Sequence, residues 1–246
     1  HLGIGLTRTF AEHFAWAFFN SGALCLQVTN ATVEQLNAGI LSIVLPNLAD
    51  LAGNPTAPIA ITMAPQQVPQ VIFGENRFEL DADGNRQLVD PALQILIPEL
   101  WIDFHVFMDD RWVRIFSLHT NVDLPLGLDF TPDNEIIPIL GDLAAGLTDL
   151  RTANGGIMKD DPELLASLLP TILNLFVGDL ATGLLTPIAL PDLLGFQLDL
   201  QDRSITSIDD GAILAIFARL RSAVERDANI SSVDTAIKDV DLQNLE

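Results

Sequence analysis

The 246-residue chain has one cysteine, no tyrosine and few basic residues. Because Cys25 is alone, it excludes internal disulfides and metal sites built from several cysteines, and we expect it to pack as a small apolar side chain. Twelve Lys and Arg against 33 Asp and Glu give a formal net charge of -21. Nucleic acids and anionic membrane surfaces are bound by cationic surfaces, so this charge argues against both as partners.

The chain also lacks a long apolar run free of proline, although 49% of its residues are hydrophobic. The uncharged stretch Leu51 to Gly74 contains four prolines, and Leu164 to Gly178 is too short and contains Pro170. Neither pattern suits a membrane-spanning helix, so no transmembrane segment is predicted. The chain begins at His1 without a signal peptide, and we expect that a targeting segment has been removed.

Two helices stand out. Thr9 with Glu12 indicates a capping box and Gly22 a helix end, and three phenylalanines at four-residue spacing load one face of this first helix: Phe10, Phe14 and Phe18. The run PELLASLLPTILNLFVGDLATGLLTP, from residue 162 onward, is apolar around most of its circumference. A surface helix shows only one apolar stripe. Either a sheet therefore wraps the second helix, or part of its surface is left for a ligand or partner.

Between and after these helices the pattern predicts antiparallel strands. Each predicted hairpin turns at an acidic loop, and the three pairs of strands are 78–80 with 87–89, 93–108 with 112–125, and 196–207 with 212–220. Short helical segments are predicted within Val33 to Val44. The order is helix, strands, helix, strands, without an alternating βαβ rhythm. We therefore predict an α+β fold in which a long, highly curved antiparallel sheet wraps around two apolar helices.

Residues suited to catalysis or metal binding are scarce. None of the four histidines lies in a nucleophile-elbow or metalloprotease motif. Pairing across the turn at Asp109 to Arg111 places His119 near Trp101 and His105 near Ile115, so the two histidines do not face each other. The loop Asp81 to Asn85 has its glycine in the wrong place for a calcium-binding loop. We predict no catalytic residues, no metal site and no cofactor.

Apolar surface, in contrast, is in excess. In the segment LQILIPELWIDFHVFM, residues of both parities are apolar, and a sheet that is apolar on both faces needs cover on both. Two explanations remain open. One is a core on both faces or a partner domain, and the other is an internal cavity for acyl chains or sterol-like ligands.

The ordered features resemble those of a known family. They are the opening helix followed by GALCLQV, then ILSIVLPNLADL, the hairpin LWIDFHVFMDDRWVRIFSLHTNVDLPL, the apolar helix, and LPDLLGFQLDLQDRSITSIDDGAILAIFARL. This order resembles the carboxy-terminal half of proteins related to bactericidal/permeability-increasing protein and lipopolysaccharide-binding protein, members of the tubular lipid-binding superfamily. The similarity spans residues 4–220. It implies one lipid-binding domain over residues 1–220, with 221–246 as a polar tail or extra element.

The resemblance implies non-catalytic binding or transfer of a lipid or other hydrophobic ligand by a secreted, periplasmic or cell-surface protein. Matching the two helices suggests that the ligand is lined by Phe10, Phe14, Phe18, Leu169, Ile172, Leu173, Phe176 and Leu180. The chain departs from the family in having no second half, no family disulfide and no basic tip, so lipopolysaccharide recognition is not implied. A second domain or a homodimer is a possible partner for the apolar surface.

Two other functions remain as alternatives. The chain can be a structural or interaction module of a larger secreted or surface protein, with a filled core and no ligand. A hydrolase is the third alternative, and it would need a polar cluster around His105 or His119.

Overall fold

The computed structural model describes residues 2–31, 36–43, 45–82, 84, 86–131, 135–143, 145–158, 187–190, 196–200 and 204–222. The described helices are α1 (Arg8–Ser21), α2 (Ala38–Leu41) and α3 (Leu48–Ala52). The strands in the first half are β1 (Leu2–Thr7), β2 (Leu26–Thr29), β3 (Ile59–Pro65), β4 (Gln70–Phe73), β5 (Arg77–Leu80), β6 (Arg86–Asp90) and β7 (Leu93–Met108). The remaining strands are β8 (Arg111–Phe130), β9 (Glu135–Leu140), β10 (Leu147–Ala153), β11 (Ile188–Ala189), β12 (Phe196–Asp199), β13 (Ile205–Ile208) and β14 (Ile213–Ser222).

The long hairpin of β7 and β8 is the centre of the main sheet. All eight strands of this sheet pair antiparallel. Six of them follow the order β11-β9-β8-β7-β3-β2, and β4 and β10 lie outside this order. Each long strand carries two short strands end to end, because β4 and β3 both pair with β7, while β9 and β10 both pair with β8. The sheet curls strongly into a half-barrel. The predicted class of a highly curved antiparallel sheet is therefore confirmed.

A bulge in β7 explains the mixed parity of its apolar residues. Ile97 pairs with Val122 and Leu100 pairs with Thr120, so Pro98 and Glu99 together lie opposite the single residue Asn121 and β7 has one extra residue there. Proline cannot donate to a strand ladder and is tolerated at bulges, and Glu99 adopts a left-handed φ of 50°. The Asn121 side chain accepts a hydrogen bond from the Glu99 amide at 3.0 Å. The bulge therefore brings the odd-numbered apolar residues before it and the even-numbered ones after it to one face.

We call that face the inner face, because the short helices pack on it. Ile102, Phe104 and Val106 are buried there together with side chains of α2 and α3. Phe104 stacks on Phe116 of β8, with ring centroids 4.3 Å apart. Near the other end of β7, Val71 and Phe73 of β4 pair with the inner-face residues Ile95 and Leu93. The inner face thus has α2 and α3 at one end and the β4 contact at the other.

A second sheet is built around β14. Strand β1 lies on one side of β14, and β13 and β12 lie end to end on the other side. The Ser207 amide of β13 donates to the Gly74 carbonyl at 3.0 Å, which joins this sheet to the end of β4. Apolar residues of the two sheets also pack together, as Leu198 and Ala218 do with Ile136 of β9. The chain's first and last described strands therefore close against the main sheet.

The first helix starts two residues earlier than the capping box predicted. The Thr7 hydroxyl accepts from the Phe10 amide at 3.3 Å, so Thr7 is the N-cap and Thr9 lies inside the first turn. The reason is that β1 runs directly into α1 and its last residue already has the extended backbone that an N-cap needs. At the other end, Gly22 closes the helix with a φ of 74°, as predicted.

Several other predictions have a structural outcome. The three predicted hairpins are confirmed as β5–β6, β7–β8 and β13–β14. The strand β1 and the helix α3 were not predicted. The expectation that Cys25 packs as a small apolar side chain is wrong, because Cys25 is exposed. The second apolar helix, from residue 162, and the tail beyond Ser222 lie outside the described residues. Within the part of the chain that the structure describes, no helix is long and apolar enough to cross a membrane.

The junction at Gly74 predicts a sharp sensitivity to one methyl group. A Cβ atom on Gly74 would lie 2.2 Å from the Pro91 carbonyl oxygen, a backbone atom that cannot swing away. We expect Gly74→Ala to lower the free energy of unfolding by about 3 kcal/mol. Gly156→Ala is the matched control, because its Cβ would meet nothing within 4 Å. Urea unfolding of both variants measures the difference, and equal stabilities would contradict the close approach at Gly74.

Candidate functional site

Helix α1 docks on the body of the protein through small side chains. Ala11 is the buried residue of this helix, and Ala15, one turn later, is partly buried. Both pack in one cluster with Val71 and Phe73 of β4. Alanine methyl groups bury little apolar area, and each contributes about 0.8 kcal/mol at most. The contact lets α1 lie close to the sheet but holds it only weakly.

The phenylalanines of α1 lie beside this contact and not in it. Phe10, Phe14 and Phe18 are 59%, 56% and 42% exposed. Their rings follow one another along the helix, with centroids 6.5 Å apart for the first pair and 4.5 Å for the second. The four-residue spacing places them on one face of the helix, as the sequence predicts. The structure thus brings three of the predicted ligand-lining residues together as an exposed aromatic row.

Strand β1 also carries an exposed apolar side chain. Ile4 is 51% exposed and pairs with Ile216 of β14. Ile216 packs in the same cluster as Ala11 and Ala15, and directly paired residues point to the same side of a sheet. Ile4 is therefore on the side of the second sheet that faces α1.

The same side of β14 continues the apolar surface beyond Ile4. Leu220 and Phe196 share it with the buried residues Leu198 and Ala218, by the pairing of β12 with β14, and both are more than 40% exposed. We define the apolar face as the exposed phenylalanine row of α1 together with the exposed apolar residues on this side of the second sheet, namely Ile4, Phe10, Phe14, Phe18, Phe196 and Leu220. None of these six side chains carries a charge.

The other predicted lining residues cannot be placed. Leu169, Ile172, Leu173, Phe176 and Leu180 lie outside the described residues. Sequence reasoning missed Ile4, Phe196 and Leu220. The alternation of glycine with Leu and Ile in β1 is a signal for Ile4, because it separates a glycine face from an apolar face, but the segment was not recognised as a strand.

A small cavity lies elsewhere, between α3 and the turn after β10. Its volume is about 170 Å³, and it is lined by Asn47, Asp50, Leu51, Ile157 and Met158. Sites for drug-sized ligands occupy about 300 to 1,000 Å³. The cavity is too small for an extended acyl chain.

The two strand histidines lie on the outer face of the long hairpin. His119 stacks on Trp101 with ring centroids 4.3 Å apart, and His105 pairs with Arg114 beside a second bulge. Polar residues share this face, but the buried Ser117 hydroxyl donates to Asp103. In a Ser–His pair the histidine would accept the serine proton. Among the described hydrogen bonds the Ser117 hydroxyl donates to a carboxylate instead, so they form no Ser–His pair. Nor do the described residues contain a group of three or more His, Cys, Asp or Glu that could hold a metal ion.

Comparison with solved structures finds chains with a similar course. The structure is similar to the crystal structure of lipopolysaccharide-binding protein, with a TM-score of 0.49 and 15% sequence identity over 83% of this chain. The matched region is 42% of that protein, so this chain spans less than half of its length. No family model matches the sequence, and no curated protein matches it. The use of the apolar face is therefore argued below from this chain's own residues.

The exposure of Phe14 predicts how its loss affects stability. We expect Phe14→Ala to lower the free energy of unfolding by less than about 1 kcal/mol, because the side chain is 56% exposed. Phe73→Ala, at a buried position in the α1–β4 cluster, should cost about 3 kcal/mol. Thermal and urea unfolding test the pair. If Phe14→Ala proves as costly as Phe73→Ala, then Phe14 belongs to a filled core and not to a ligand surface.

Proposed function

We propose that the protein binds a hydrophobic ligand, an acyl-chain lipid or a sterol-like molecule, non-covalently against the apolar face. The observation that carries this proposal is the exposed row of three phenylalanines on a helix that is docked by alanines. A helix that served only as core would turn its largest apolar side chains inward. Here Ala11 and Ala15 make the contact with β4 and Phe19 on the same stripe is half-buried, while the rings of the row stay exposed.

The chemistry of the apolar face favours the apolar part of a lipid. Its side chains offer no charge and no hydrogen-bond donor or acceptor, so affinity has to come from burial of apolar surface. Full burial of an exposed phenylalanine is worth about 1.5 to 3 kcal/mol. Three partly exposed rings together supply several kcal/mol before the ordering of the ligand is subtracted. This amount suffices for reversible binding of one acyl chain.

The exposed area also points to a ligand and not to chance. Single exposed apolar residues are common on protein surfaces, but contiguous apolar patches mark binding sites. The phenylalanines are contiguous along α1, and Ile4 adds an exposed apolar side chain on β1. A chain with a formal charge of -21 gains solubility from its charge, so a patch of this kind remains compatible with a monomer in solution.

Binding of a fluorescent fatty acid, together with native mass spectrometry of lipids that copurify, tests the proposal. We expect Phe14→Ser to weaken binding of the fluorescent fatty acid about tenfold, because loss of one buried ring removes at least 1.4 kcal/mol. The double variant Phe10→Ser with Phe14→Ser should lose measurable binding. Native mass spectrometry of the wild-type protein should show the added mass of a bound lipid. Extraction with organic solvent should release that lipid.

Trp16→Ser is the matched control. Trp16 belongs to the same helix and is 56% exposed, the same as Phe14, but it lies about 200° around the helix from Phe14. Its replacement should change the dissociation constant less than twofold. Equal loss in both variants would show that the probe adsorbs to any exposed ring. Absence of probe binding and of copurified lipid in the wild type would reject the proposal and favour a structural or interaction module.

A further inference from the structure

The start of α1 is tied to a turn that does not belong to the apolar face. Arg8 is the first residue of the helix, and its Nη2 donates to the Gly211 carbonyl at 2.7 Å and to the Asp210 carbonyl at 3.4 Å. The Arg8 amide donates to the Ala212 carbonyl at 2.8 Å. All three acceptors are in the turn between β13 and β14. We call this set of hydrogen bonds the Arg8 clamp.

The Arg8 clamp and the shape of the turn between β13 and β14 depend on each other. Asp209, Asp210 and Gly211 all have left-handed φ values, of 56°, 50° and 75°. A Cβ atom on Gly211 would lie 2.8 Å from Arg8 Nη2 and 3.1 Å from the Phe73 carbonyl oxygen. Glycine at this position therefore permits the left-handed conformation and also makes room for the guanidinium. Helix α1, strand β4 and the turn meet at this one point.

An arginine at the first position of a helix is not explained by helix stability. The amino terminus carries the positive end of the helix dipole, which favours acidic side chains there and disfavours basic ones. The first turn of α1 contains no acidic residue. Arg8 Nε is buried and has no hydrogen-bond partner, and an unsatisfied buried donor is costly. These costs offset much of what the hydrogen bonds contribute, so the clamp adds little net stability.

From these observations we propose that Arg8 is a positioning residue: the Arg8 clamp sets the angle of α1 and thereby orients the phenylalanine row against the second sheet. This inference rests on the proposed ligand binding. The alanine contact with β4 is too weak to fix the helix by itself. The covalent link through Thr7 fixes only where α1 starts, because a single junction leaves the helix free to rotate. The clamp supplies the second point of attachment, one residue beyond that junction.

Two measurements on Arg8→Gln test the inference. Hydrogen exchange of the peptide covering residues 8–21 should become at least fivefold faster in the ligand-free variant, while exchange in β7 and β8 stays unchanged. The dissociation constant for the fluorescent fatty acid should rise five- to tenfold, although Arg8 is not part of the apolar face. The melting temperature should fall by only a few degrees. Arg8→Lys keeps the charge and one donor nitrogen, and its dissociation constant should lie between those of the wild type and Arg8→Gln.

Gly211→Ala is the second variant, because it disturbs the same clamp from the other side. Its effect on the dissociation constant should resemble that of Arg8→Gln, and the double variant should be no worse than either single one, as expected for residues of one network. Arg77→Gln is the control: this exposed arginine pairs with Glu79 on the β5–β6 hairpin, and its loss should leave exchange and binding unchanged.

The outcomes separate the two proposals. Unchanged exchange of residues 8–21 in Arg8→Gln, together with an unchanged dissociation constant, would overturn the positioning role. Full additivity of Arg8→Gln and Gly211→Ala would also count against it. If the wild-type protein binds no probe, the proposed function fails, but the exchange measurement still decides whether the clamp fixes α1.

Discussion

The pairing of β7 with β8 is the constraint on which the rest of the structure depends. Each of these two strands pairs with two shorter strands, and together they provide the inner face on which two helices pack. A sheet of this length twists and curls, so its inner face is concave and needs cover. The bulge at Pro98 and Glu99 keeps the apolar side chains on that face over the whole length of β7. Without this change of parity, half of the strand would turn its apolar residues outward.

The cover of the inner face is uneven, and this unevenness defines the candidate site. At the hairpin end, α2 and α3 fill the space with leucine side chains that are completely buried. At the other end α1 approaches through alanines, and its phenylalanines stay exposed. In the sequence, this helix face is an excess of hydrophobic residues. In the structure, it is an exposed apolar surface. The Arg8 clamp links the start of this helix to the turn between β13 and β14.

Local signals account for the part of the fold that could be predicted. Acidic turns identify the three hairpins, because two flanking strands and a tight turn lie within one short segment. The four-residue spacing of the phenylalanines indicates that they share a helix face. Strand β1 escaped prediction because its partner, β14, is more than 200 residues away and glycines lower its strand propensity. The bulge was not predicted, because a proline within a strand pattern is compatible with an edge strand as well as with a bulge. The hydrogen bond from the Glu99 amide to Asn121 is a tertiary contact between two strands.

Composition and periodicity by themselves determined the class of the protein: an acidic, disulfide-free chain whose antiparallel strands carry more apolar surface than a simple two-layer core needs. They also determined which three phenylalanines lie together. Only the tertiary structure decided that these rings lie beside the docking contact and that alanines make it, because the side of a helix that faces a sheet depends on the pairing of distant strands. The exposure of Ile4 and the hydrogen bonds of Arg8 were decided in the same way, since both depend on β14 and the turn before it, which meet β1 and α1 only in the folded chain.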